Sequence, residues 1–223
     1  MTPAPGTAFT SDQVVTFDIM PGTLDQFLDA MTESGPRLKC FEGSVTLVSP
    51  GIPHEISGRR LANLVLAVCL EMRIKHTALV SATWKLPEGP QPATAYESDE
   101  SYYIQSHGTA REGQAPDLAI EVVVSNPETK ALLCGAVLGI PEIWVLDVSH
   151  HRLTFHRLTT RGKHKGTYQT QSRSRAFPFL SAAEVLERLD DPATDDVAFH
   201  ENCRAWAKQV LAPRRVAEGG NEG

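Results

Sequence analysis

No two cysteines of this chain stand close together: Cys40, Cys69, Cys134 and Cys203 are scattered without a Cys-x-x-Cys pair. That spacing excludes a zinc ribbon and a redox dithiol, and it points to reduced, mostly buried thiols and a cytoplasmic address. Long apolar runs are missing as well. The first 13 residues carry neither a basic residue nor the apolar stretch of a signal peptide. No later run approaches the ~18 apolar residues of a membrane span, so a soluble protein without a membrane partner is expected.

Positive charge is in short supply, with 21 Lys and Arg against 27 Asp and Glu, a net charge of -6 and a pI of about 5.7. No global field draws such a chain onto a nucleic-acid backbone, and any such binding has to be local. Basic residues gather at Arg59, Arg60, Arg73 and Lys75, and again at Arg157, Arg161, Lys163, Lys165, Arg173 and Arg175. A solvated helix face and a hairpin rim are the simplest accounts of them. Gly-rich phosphate loops and the Gly-x-Ser-x-Gly elbow are absent. His54-Glu55 opens like a zincin helix but continues Ile-Ser-Gly-Arg, leaving no second histidine for zinc. His150, His151 and His156 are expected on an exposed edge, and no internal repeat or low-complexity tract is present.

What is present is enough apolar residue, 41% of 223, to bury one good core. One domain over residues 17–212 is expected, between a flexible lead-in at 1–16 and a flexible tail at 213–223. Thr23 is placed to cap a short helix over 24–31 that Gly35-Pro36 ends, and Gly43 marks a hairpin between 38–41 and 45–48. Residues 53–76 carry the longest helical stripe, including Ile56, Leu61, Leu64, Val65, Val68 and Met72. A strand over 79–86 and a loop over 87–92 follow, and the next strand carries Glu97 and Asp99. A buried strand at 118–124, a helix at 128–138 capped by Gly139, and a second buried strand at 143–148 make a parallel strand-helix-strand unit. A peripheral hairpin at 153–158 and 167–170 and two closing helices, 181–189 and 197–211, complete an α/β (α+β) pattern.

The acids inside these apolar strands ask for a reason, because a carboxylate is costly to bury unless it shares a cation or a proton. Glu97 and Asp99 are expected to share one strand face, and Asp117, Glu121 and Val123 another. Carboxylates so arranged suit Mg²⁺ or Mn²⁺, which can activate a water and offset charge on a phosphodiester. The alternative is that Glu97 and Asp117 lie in solvent at strand ends and Glu121 pairs with an arginine.

Three segments carry a resemblance: Glu-Ser-Asp-Glu-Ser-Tyr-Tyr-Ile-Gln at 97–105, Pro-Asp-Leu-Ala-Ile-Glu-Val at 116–122 and Leu-Gly-Ile-Pro-Glu-Ile-Trp at 138–144. Supporting segments are Phe-Glu-Gly-Ser-Val at 41–45, Ser-Pro-Gly-Ile-Pro-His at 49–54, Phe-Pro-Phe-Leu at 177–180 and Arg-Ala-Trp at 204–206. In this order and spacing the chain resembles the Uma-type family of restriction endonuclease-like proteins, within the PD-(D/E)XK nuclease superfamily, over roughly residues 20–210. The resemblance implies a restriction-endonuclease-like mixed β-sheet flanked by helices, with Asp99 and Glu121 as metal-binding acids and Asp117 ranked behind them. It implies further roles for Glu42, near the first hairpin, and for His54, at the start of the long helix.

Two positions depart from the family pattern. Two residues after the second acid, where the superfamily wants a lysine, stands Val123; Lys130 on the following helix is the expected substitute. One turn further, where relatives often carry a tyrosine, stands Gly135. The expectation is a Mg²⁺- or Mn²⁺-dependent DNA endonuclease in which Lys130 positions a water and Glu42 or His54 assists. The alternative is a nuclease-fold protein without the chemistry, acting as a nucleic-acid-binding or assembly module; a hydrolase of smaller phosphoesters is a third reading. Asp99→Ala is expected to leave the fold intact. A homodimer is expected, with Tyr102, Tyr103 and Trp206 offered either to its interface or to the core.

Overall fold

Period-two alternation in the first fifty residues and again around residue 95 builds a five-stranded sheet in a computed structural model of the protein, which describes residues 12–31, 36–86, 93–104, 114–124, 128–159, 166–193 and 195–214. Its strands are β1 (Gln13–Asp18), β2 (Arg37–Phe41), β3 (Ser44–Ser49), β5 (Thr83–Lys85) and β6 (Thr94–Glu97), ordered β1-β3-β2-β6-β5 and antiparallel throughout. A second sheet contains β4 (His76–Leu79), β7 (Glu100–Ile104), β8 (Leu118–Val123), β9 (Glu142–Asp147), β10 (Arg152–Leu158) and β11 (Tyr168–Gln171). Its order is β11-β10-β9-β8-β7-β4, mixed because β8 and β9 run parallel as their apolar runs predict. The α+β class is therefore as expected, with the mixed sheet joined by a second, antiparallel one.

Two strands read as continuous in the sequence are each divided between the sheets. The segment expected as one strand over 79–86 ends β4 at Leu79 in one sheet and begins β5 at Thr83 in the other. Glu97 closes β6 and Glu100 opens β7, so Asp99 lies not on a strand beside Glu97 but in the bend where the chain passes between sheets. Alternation reports which face a residue takes and says nothing of sheet membership.

The long helix α2 (Ile52–Glu71) begins behind Gly51 with Pro53 in its first turn. It stops short of residue 76, where the sequence pattern carried it, because Arg73 adopts φ 51° and turns the chain into β4. Leu61, Leu64, Val65, Val68 and Met72 are buried against the second sheet together with α4 (Ala182–Leu189) and α5 (Asp196–Trp206). Ile56, expected in that stripe, is exposed. A π-helical turn, Ala207–Leu211, extends α5. The short helix α1 (Leu24–Ala30) covers Leu38, Cys40, Val45 and Ala95 of the first sheet.

Helix α3 (Thr129–Leu138), which connects the parallel strands, ends as predicted at Gly139 in the left-handed region, φ 76°. It packs against β2 and β6, so it is wedged between the sheets with Tyr96, Ala119, Val123 and Ile143 around it.

All four cysteines are buried free thiols. Tyr102 and Tyr103 belong to the interior, and His156 is buried on β10 rather than exposed. β1 begins at Gln13, inside the expected lead-in. Residues 1–11 and 215–223, the 87–92 loop and Arg161, Lys163 and Lys165 lie outside the described residues. Among the described residues no helix is long and apolar enough to cross a membrane.

Candidate active site

A row of side chains crosses the first sheet at right angles to its strands. Thr16 pairs with Thr46, Thr46 with Lys39, Lys39 with Tyr96 and Tyr96 with Trp84. Cross-strand partners share a face, so Lys39 and Tyr96 point the same way, toward Glu121 on β8. Both reach it: the Lys39 ammonium forms an ion pair with Glu121 Oε1, and the Tyr96 hydroxyl donates to Oε2 at 2.9 Å. Glu121 is only 1% exposed. Burial pushes its carboxyl up to about 7, Lys39 offsetting part of that rise and Asp99 adding to it. Burial pulls Lys39 down, but Glu121 and Asp99 outweigh it and hold the ammonium above its ordinary value.

Asp99 stands at the sheet crossing and is tied from several sides. Its backbone N–H donates to Ile120 O at 3.1 Å, and its Oδ2 accepts from Val122 N–H at 2.8 Å, which sets the bend directly over β8. Arg37 Nε donates to Oδ1 at 3.4 Å, and His54 Nε2 lies 3.4 Å from Oδ2. Burial raises the Asp99 carboxyl, yet the hydrogen bond and charge of His54, the charge of Lys39 and the Val122 bond hold it below the ordinary value. For His54, burial is outweighed by Asp99 and it is raised. Above the pair opens a cleft of about 130 Å³ lined by Arg37, His54, Arg59, Asp99 and Glu100 among others.

Glu100, 9% exposed, pairs with Ile120 and so faces α2. Burial pushes it up to about 7, with Arg59 opposing and Asp99 reinforcing the rise. Glu97 is bound to Leu38 N–H at 3.3 Å and to Arg37 at 3.6 Å, so it lies neither in open solvent nor on the Asp99 bend.

Of the residues singled out by sequence, Asp99, Glu121 and His54 thus come together. Lys130 points elsewhere: its ammonium donates to Thr46 Oγ1 at 2.6 Å and to Ser44 O and Oγ at 3.3 Å, anchoring α3 to β3. Asp117 accepts from Ile104 N–H at 2.8 Å and holds the end of the β7–β8 pair. Glu42 occupies the β2–β3 turn at φ 53°, three residues along the chain from Lys39. Val123 is core, 3% exposed. A Cβ at Gly135 would meet Ile143 Cδ1 and, at 2.9 Å, the Tyr168 hydroxyl, so Ile143 and Tyr168 fill the room beside it. Lys39, Arg37, Tyr96 and Glu100 are the site residues that motif reasoning missed. Lys39 had left a signal, a charge within the apolar run Leu38–Phe41 at an inward position.

Asp99 and Glu121 are the groups that could hold a divalent metal, yet as folded they do not fit one. All four carboxylate oxygens already accept from Lys39, Tyr96, Arg37, His54 or Val122. Among the described residues no three His, Cys, Asp or Glu converge on one point. The pair is neutralised by the protein's own cations.

Residues 24–194 match the Uma2 family, described as "Putative restriction endonuclease". A crystal structure of a "putative nuclease belonging to DUF820" from Anabaena variabilis is similar to this chain with a TM-score of 0.53 and 19% identity, covering 76% of this chain and 99% of that one. At that identity the likeness speaks for the fold alone. No curated protein matches the sequence.

Proposed function

Because the chain belongs to the Uma2 family, we propose that it is a nuclease that hydrolyses phosphodiester bonds of DNA in the cleft over Asp99. The observation that carries this reading is the convergence of Asp99 and Glu121: Asp99, at the sheet crossing, bonds the backbone of Ile120 and Val122 on either side of Glu121 on β8. Arg37 and Arg59 line the cleft, and a guanidinium fork matches a phosphate. They stand there beside Glu55, Asp99 and Glu100, and Arg37 is already paired with Asp99 and Glu97, which leaves Arg59 as the guanidinium without an ion pair among the cleft's described contacts. His54, held by Asp99, is a proton-carrying group of the cleft.

A second reading is favoured by the compensated acid pair. A carboxylate centre neutralised by Lys39 and His54 suits a protein that keeps the fold, grips nucleic acid and does not cut it. Supercoiled plasmid incubated with wild type, Asp99→Asn and Glu121→Gln, each in Mg²⁺, Mn²⁺ and EDTA, separates the two. Nicking by wild type that both variants lose is the expected result. Retained plasmid binding in a gel-shift assay without nicking under any condition replaces the nuclease reading with the second.

A further inference from the structure

A divalent ion shared by two acids has to displace whatever already holds their oxygens, and it must be the strongest positive charge between them. Here the protein's own groups hold both acids. Glu121 Oε1 is taken by the Lys39 ammonium and Oε2 by the Tyr96 hydroxyl, while both Asp99 oxygens are engaged by Arg37, His54 and Val122. The Lys39 side chain is 8% exposed, and its β-sheet partners Thr46 and Tyr96 fix its direction, so it does not reach Glu121 by chance of a mobile surface rotamer. An ion placed on Glu121 Oε1 would stand against an ammonium with little water between to screen them. Lys130, the other lysine near this face, is held one strand further away, on β3.

We propose that Lys39 is the resident cation of the acid centre: its ammonium takes the place on Glu121, beside Asp99, that a divalent metal would share, and the folded protein binds neither Mg²⁺ nor Mn²⁺ there. The inference rests on Asp99 and Glu121 being the acid centre of a nuclease. It is read by metal occupancy, not by cleavage, so it and the nuclease reading fail separately.

Mn²⁺ is the probe, titrated into the full-length protein while free Mn²⁺ is followed by electron paramagnetic resonance. Wild type should leave Mn²⁺ free at millimolar concentration. Lys39→Met, which keeps the apolar stem and removes the charge, should bind Mn²⁺ at least tenfold more tightly, and adding Glu121→Gln should abolish the gain. Wild-type binding that Glu121→Gln removes overturns the proposal, as does a folded Lys39→Met protein with no gain. Should Lys39→Met fail to fold, Mn²⁺ should restore its cooperative thermal melt by taking the place of the ammonium; no restoration also overturns it.

Discussion

Lys39 shows at the scale of one residue how a buried charge commits its neighbours. Removing one member of a buried ion pair leaves the other uncompensated, so Lys39→Ala should cost about 3–5 kcal/mol in urea unfolding, and Lys39→Met combined with Glu121→Gln should recover most of that. Asp99→Ala belongs with it. The expectation of an intact fold rested on relief of like-charge repulsion, whereas Asp99 holds His54, Arg37 and the buried Val122 N–H, and its loss should lower the same unfolding midpoint. Glu100 carries a pH signature. Unfolded, it loses its proton near the ordinary 4.5; folded, it keeps that proton up to about 7. Between these values the native state binds the extra proton, so stability falls as pH rises through this window and levels off above it. Its share should be roughly 1–2 kcal/mol, since water in the open cleft screens the rest. Unfolding midpoints at pH 5 and pH 8 in wild type and Glu100→Gln isolate it. Glu121 was legible in the sequence because it interrupts an apolar strand, and Asp99 and His54 through the resemblance, whereas Lys39 and Arg37 were not recognised as their partners, because which strand faces which is decided by the fold.

Helices and strands were read better than their assignments to sheets. The β8-α3-β9 unit followed from two apolar runs, a helical stretch and a capping glycine. The division of 79–86, and of the strand expected to carry Glu97 and Asp99, left no mark, since the sequence pattern reports which face a residue takes and not which sheet it joins. Lys130 was sound as a helix residue and mistaken in its direction: α3 turns it toward Ser44 and Thr46. Gly135 likewise reads as a gap only until the packing around it is known. Introducing a large side chain by Gly135→Tyr should drive it into Ile143 and Tyr168 and destabilise the protein by about 1–3 kcal/mol, read as a lower Tm.

For the whole molecule, the scattered cysteines become reporters, since all four are buried. Burial holds Cys69, Cys134 and Cys203 up to about 12. A thiol reagent such as DTNB should leave the native protein unlabelled at neutral pH and react with four thiols per chain, at the rate of unfolding, in urea. The sheet crossing has a mechanical consequence. The chain passes between sheets at Ser98 and Asp99, the ion pair of Lys39 and Glu121 joins them alongside, and α3 is bolted to the first sheet while its chain belongs to the second. If one sheet flexes against the other, as in gripping a curved polymer, displacement is greatest at the far edges, β1 and β11, and smallest along this seam. In such bending the acid centre would lie on the neutral axis, where the groups that must stay aligned move least.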